Sequence, residues 1–173
     1  SEDAGLIARV EHLMGNALGL RGEASTARTH HDRALAMART LGERSLEAEI
    51  LADVGTGHYR RAEYREAEEN LRRSLAIRSA TGDRAGEAAS RDRLGRILFK
   101  QGHYDEALAI FQGALAVQAQ IGDTRGQAET LYDIAMLHTD RHEFNEALHV
   151  ASRSLALYET AGSPEARIEV LCS

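Results

Sequence analysis

A 40-residue period constrains this chain more than any other feature. Laid on itself with a shift of 40, the sequence aligns Ala27, Ala67, Ala107 and Ala147 in one column. A second column holds Leu35, Leu75, Leu115 and Leu155, each followed by alanine. A third holds Gly42, Gly82, Gly122 and Gly162, and a fourth Gly15, Gly55, Gly95 and Ala135. Tyr64, Tyr104 and Phe144 share a fifth column, with the smaller Ala24 as its first member. Self-similarity at this spacing marks a solenoid, in which each unit buries its apolar face against the next.

Each unit reads as two helices. "RAGEAASRDRLGRILFK" places Leu94, Ile97 and Leu98 on one helical face. "YDEALAIFQGALAVQAQI" places Ala107, Leu108, Phe111, Ala114, Leu115 and Val117 on another. The spacing predicts helices over 4–20, 23–41, 44–60, 64–80, 84–100, 104–120, 124–140 and 144–160. The units are 4–42, 43–82, 83–122 and 123–162, within a single domain 1–173. Ser163-Pro164 opens a partial capping helix over 163–173. Gly122 should end its helix in the left-handed conformation, with Asp123 capping the next helix and Asp83 doing the same one unit earlier. A glycine inside a helix costs about 1 kcal/mol, so close helix approach should offset it, with Gly95 facing Ala107 and the Tyr104 ring wedged between helices. Gly22 and Gly102 at the hairpin turns are matched by Ala62 and His142, where a left-handed backbone costs roughly 1–2 kcal/mol. Ala24 and His31, where large apolar residues stand in the other units, predict looser packing of the first hairpin.

Aromatic residues are only 5% of the 173 and tryptophan is absent, so the core is built mainly from alanine and leucine. The net charge of −6, with both signs interleaved, lacks the basic stripe of a nucleic-acid binder. No apolar run approaches the ~20 residues that span a bilayer. The lone Cys172 argues for a reducing, cytoplasmic setting. A start at Ser1 and an end part-way through a repeat read as a piece of a longer protein.

Leu94, Gly95, Gly102, Tyr104, Ala107, Phe111 and Ala114 together resemble the tetratricopeptide repeat. The 40-residue unit, with "GDRAGEA" and "GDTRGQA" at its junctions, is similar to the variant in spindle-orientation adaptors and large bacterial regulators. The resemblance implies an all-α solenoid of about four helix-turn-helix units in a right-handed superhelix, with the first helix of each unit lining a concave, peptide-binding groove. Carried over by position, that groove comprises Arg9, His12 and Asn16; then Asp53, Thr56, Tyr59 and Arg60; then Asp92, Arg93, Arg96 and Lys100; and finally Glu129, Tyr132, Asp133 and Met136. Arg93, Arg96 and Lys100 share a helix face by spacing and could hold peptide carboxylates. Asp53, Asp92 and Asp133 interrupt that basic character, which favours a partner of mixed charge over a polyanion. The bland alternative is a solvated face of salt bridges.

Other chemistry is weaker. His138 and His142 have a helical chelate spacing, but a third ligand such as His149 or Asp140 is needed and helix packing is the simpler reading. His31 reads as a partly buried histidine. No phosphate-cradling loop or nucleophile–base arrangement appears, and Glu66, Glu106 and Glu146 follow the repeat period, so neither an enzyme nor a cofactor is expected. The leading expectation is a protein-interaction scaffold that binds a peptide in its groove. The alternative is a sensor or oligomerisation module of a larger bacterial signalling regulator, packing on other domains of its parent or on itself.

Overall fold

The computed structural model describes residues 2–161. They form eight α-helices and no strand: α1 (Glu2–Leu20), α2 (Ala24–Leu41), α3 (Arg44–Arg60), α4 (Tyr64–Thr81), α5 (Arg84–Lys100), α6 (Tyr104–Ile121), α7 (Thr124–Asp140) and α8 (Phe144–Ala161). These agree with the expected spans to within two residues at every end. The capping helix expected over 163–173 lies outside the described residues. The helices pair as hairpins, α1 with α2, α3 with α4, α5 with α6 and α7 with α8. They fall into two compact units, residues 1–83 and 84–173, each holding two hairpins.

Turn chemistry sets the hairpins. Gly122 ends α6 at φ 69°, ψ 22°, and Asp123 then caps α7 by accepting the Gly126 N–H at 2.8 Å. Ahead of α5, the Asp83 carboxylate lies 3.6 Å from Arg78 Nε. Ala62 and His142 do adopt the left-handed region, at φ 59° and 60°, as the glycines Gly22 and Gly102 do. The L side chains therefore carry the strain expected of them.

Small positions meet large ones across the first three hairpins. A Cβ on Gly95 would meet the Phe111 ring at 2.6–2.9 Å, so that ring of α6 occupies the space that glycine leaves. A Cβ on Gly55 would meet Leu71 at 3.0 Å and the carbonyl of Ala67, the counterpart of Ala107, at 3.1 Å, and Gly15 receives the His31 imidazole. In the first hairpin the histidine ring fills the place of Leu71 and Phe111, but it is half-buried where those two are fully buried, and it lines a cavity. Tyr104, half-buried, tilts onto Phe99 across the hairpin turn with ring centroids 5.9 Å apart, and Tyr64 does the same on Tyr59.

Between the hairpins of the first unit, Ala8, Ala34, Ala38, Leu46 and Ile50 form a dry core flanked by Leu35, Met37 and Val54. Alanine on α2 thus lets α3 come close, as the composition requires. Fully buried Ser74 and Ser154, eighty residues apart, each donate a hydroxyl to a helix carbonyl, Ala48 and Ala128 respectively, at 2.7 Å. Neither hydroxyl is left unpaired in the core. No described helix is long and apolar enough to cross a membrane.

Candidate functional site

Two polar clusters occupy the same repeat positions, one in each unit. In the first, Asn16 on α1 donates its Nδ2–H to Asp53 Oδ2 on α3 at 2.8 Å. His12, one turn before Asn16 and nearly fully buried, lies with Nε2 3.0 Å from the same oxygen. His31 on α2 donates from Nε2 to Asn16 Oδ1 at 3.0 Å. Burial, followed by the neighbouring His12, lowers the pKa of His31 below its ordinary value. The imidazole over Gly15 is thereby kept neutral, and its hydrogen bond to Asn16 sets which way that amide faces.

Eighty residues on, Asp92, Arg96 and Asp133 stand where His12, Asn16 and Asp53 stand in the first unit. Arg96 donates from Nε to Asp133 Oδ2 at 2.7 Å and reaches Asp92 at 3.1 Å. Asp92 also accepts the Thr130 hydroxyl at 3.0 Å. Burial raises the carboxyl of Asp92 above its ordinary value, and raises that of Asp133 to about 6, against the opposing pull of Arg96. One guanidinium shared by two half-buried carboxylates leaves that desolvation only partly offset.

Each cluster borders a cavity. The cavity of the first unit has a volume of about 630 Å³, and all four helices α1–α4 contribute to its lining. Gly15, Gly19, Ala27 and Gly57 keep it open; Asn16, Asp53, Asp32 and Glu69 supply acceptors, and Arg28, Arg60 and Arg73 supply cations. Arg28 approaches Asp32 at 3.8 Å, whereas Arg60 and Arg73 form no ion pair among the described residues. The cavity of the second unit is smaller, about 300 Å³, and is bordered by Asp92, Arg93, Arg96 and Glu129.

The residues named from sequence divide accordingly. Asn16, Asp53 and Arg60 line the larger cavity, with His12 hydrogen-bonded to Asp53 behind it. Thr56 turns its hydroxyl onto its own helix, to Ala52 O at 2.8 Å, and Tyr59 packs on Tyr64. Arg9 reaches Glu43 at 3.4 Å. Arg93, Arg96 and Lys100 do not form a face of three available cations, because Arg96 is held between two aspartates and Lys100 lies 5.3 Å over the Phe99 ring. Tyr132 and Met136 are half-buried and do not border the smaller cavity. Sequence reasoning missed Arg28, Asp32, Glu69 and Arg73, which sit on the second helix of each hairpin. Their signal was present in the polar faces of those helices. His138 pairs with Glu143 at 2.6 Å and His142 packs edge-on to Phe144, so the two histidines have separate partners. Among the described residues no group of three His, Cys, Asp or Glu side chains is placed to hold a metal.

The tetratricopeptide repeat family model matches residues 6–80 and 86–160. No curated protein matches the sequence. Several solved structures share the fold. Aspartyl phosphate phosphatase F from Bacillus subtilis superposes with a TM-score of 0.84 at 14% identity, over 91% of this chain and 41% of that one. A Pyrococcus horikoshii signal transduction ATPase with a tetratricopeptide repeat sensor gives 0.88 at 13% identity, over 96% of this chain and 26% of that one. A plasmid Rap conjugation gene regulator in complex with the Phr* peptide gives 0.70 at 15% identity, over 92% and 50%. This chain spans no more than half the length of each of these three. Matched over both units and built of the same helical hairpins, the chain belongs to the tetratricopeptide repeat family and has its α-solenoid class of fold.

Proposed function

We propose that this protein is an interaction scaffold that takes an extended peptide segment of mixed charge in the cavity of its first unit. The observation that carries this reading is the lining of that cavity of about 630 Å³, where Arg60 and Arg73 are without an ion pair among the described residues and Asp53 and Asn16 stand beside them. Two cations set beside a hydrogen-bonded carboxylate recognise an acidic side chain next to a donor, rather than a run of one sign. The small residues Gly15, Gly19 and Gly57 admit a backbone close to the helices. The Rap regulator solved with a peptide has this fold and supports the reading by analogy.

The test uses a mixed-charge peptide selected from a display library on the intact chain. Arg60→Glu and Arg73→Glu should each weaken binding by about tenfold or more, the worth of one charge-assisted contact, with helicity unchanged. Arg93→Glu, at the smaller cavity, should leave affinity within about twofold. Unaltered binding by both Arg60→Glu and Arg73→Glu, or loss only with Arg93→Glu, overturns the assignment.

A further inference from the structure

The tautomer of His31 follows from its neighbours. Asp53 is a carboxylate and can only accept, so the end of the Asn16 amide 2.8 Å from it is the Nδ2 donor. The other end, Oδ1, lies 3.0 Å from His31 Nε2 and it too can only accept. The proton of the neutral ring therefore sits on Nε2, and Nδ1 carries the lone pair. The ring lies over Gly15 with its Nε2–Cδ2 edge, and Nδ1 is the vertex opposite that edge. Among the described residues nothing donates to Nδ1, and the ring lines the cavity of the first unit.

The surroundings keep this nitrogen an acceptor. From α1 the ring faces His12, with centroids 5.8 Å apart, and from α3 it faces Asp53. On its own helix it has Asp32 and His30, the latter held by Glu11 of α1 at 2.6 Å. Burial, then His12, outweigh the two aspartates and hold the ring neutral. Packing of the hairpin does not call for an imidazole here. Leu71, Phe111 and Ala151 occupy the same column in the other units, and none of their side chains has a polar atom. A half-buried acceptor that its own hairpin does not use is matched by an N–H from elsewhere. Arg60 and Arg73 of the same cavity suit acidic side chains, and the donor that every extended segment carries between its side chains is the backbone N–H. The Asn16 amide, engaged at both ends by His31 and Asp53, does not take that part.

We propose that His31 reads the backbone of the bound segment, its Nδ1 accepting one peptide N–H inside the cavity of the first unit. This assignment rests on that cavity being the peptide site. Gly15 beneath the ring and Gly19 one turn further along α1 leave room for a main chain at this wall. A proton and a peptide N–H compete for the same lone pair. Protonation turns Nδ1 from acceptor to donor and sets two N–H groups against each other, so acid expels the segment. Binding is complete where the ring is neutral and is lost as the pH falls through the His31 pKa, which lies below 6.5.

The test titrates the display-selected mixed-charge peptide into the intact chain and three variants, each checked for unchanged helicity. At pH 7.5 His31→Phe, which fills the space as Phe111 does in the second unit, should weaken binding by about three- to tenfold. His31→Gln, whose amide reaches the place of Nε2 and keeps the bond to Asn16, should lose as much. His31→Asn, whose amide oxygen takes the place of Nδ1 and does not titrate, should stay within about twofold of the unchanged chain. Between pH 7.5 and 5 the unchanged chain should lose affinity with a slope approaching tenfold per pH unit, that of one competing proton, and His31→Asn should lack that slope. Full binding by His31→Gln, equal pH dependence in His31→Asn and the unchanged chain, or affinity that rises in acid would each overturn the role of His31 while the losses from Arg60→Glu and Arg73→Glu still stand. Absence of those two losses overturns the cavity reading and this inference with it.

Discussion

In the first unit the glycine of α1 is roofed by an imidazole, His31; in the second, the glycine of α5 is roofed by a phenyl ring, Phe111. The two rings fill equivalent space and differ in what they do to their surroundings. His31 carries a hydrogen bond outward to Asn16 and so ties the hairpin to the Asp53 cluster. Phe111 carries none, and the cluster of its unit is a separate charge network of Arg96 with Asp92 and Asp133. Shape is the invariant of the repeat, and polarity is free to vary within it. That freedom lets one unit hold an open cavity with cations to spare while the other spends its guanidinium internally.

The largest test of this contrast removes the two rings. Phe111→Ala should destabilise the chain by about 3–5 kcal/mol, as loss of a fully buried phenyl does. His31→Ala should cost about 1–2 kcal/mol, mostly through its hydrogen bond. Equal losses in denaturant melts would contradict this contrast between a buried phenyl and a hydrogen-bonded imidazole. Next in size, Gly95→Ala should cost about 1–3 kcal/mol by forcing the Phe111 ring aside. In a Phe111→Ala background the same change should become favourable by about 1 kcal/mol, because helix propensity then acts unopposed. The fourth hairpin already carries that pair of small residues as Ala135 and Ala151. A smaller effect separates the turns: Ala62→Gly should stabilise by about 1 kcal/mol and Gly102→Ala should destabilise by a similar amount, since both positions have a left-handed backbone. No change in midpoint for either would contradict the turn geometry.

The subtlest contrast is one of sign. His31 has a lowered pKa in the folded chain, so as pH falls below its ordinary 6.5 the unfolded chain takes up a proton that the folded chain refuses, and the first unit loses stability. Asp133, raised to about 6 from 3.8, holds a proton that the unfolded chain has released between those values, and burial shifts Asp92 in the same direction. Acidification through that window therefore favours the folded second unit. Amide exchange, corrected for its intrinsic pH dependence, should show protection falling in α1–α4 and rising in α5–α8 between neutral pH and a pH of about 5. Changes of the same sign in both units would dismiss these assignments.

Most of the fold was legible because it is repeated. A column of four glycines or alanines outweighs any single propensity, and the left-handed turns at Ala62 and His142 could be read from the glycines that they replace. That Phe111 meets Gly95 was not read from the sequence, because two residues of α6, Ala107 and Phe111, are one helical turn apart and share its inward face. The cations of α5 looked available for a related reason. Spacing shows that Arg93, Arg96 and Lys100 share a helix, but not that Asp133, thirty-seven residues beyond Arg96, comes to meet it. The repeat columns drew the reading toward what the units share and away from what one of them adds.

The socket in the first three helical hairpins has a bearing on how such arrays change over generations. Gly15 and its imidazole, or Gly95 and its phenyl, lie sixteen residues apart in one continuous stretch, so a duplication copies lock and key together and the new hairpin arrives already packed. The link from Asn16 to Asp53 joins neighbouring hairpins, and a shuffled module would inherit only half of it. Recombination can therefore preserve the scaffold while renewing its polar chemistry, as the replacement of Asn16 and His12 by Arg96 and Asp92 along this one chain illustrates.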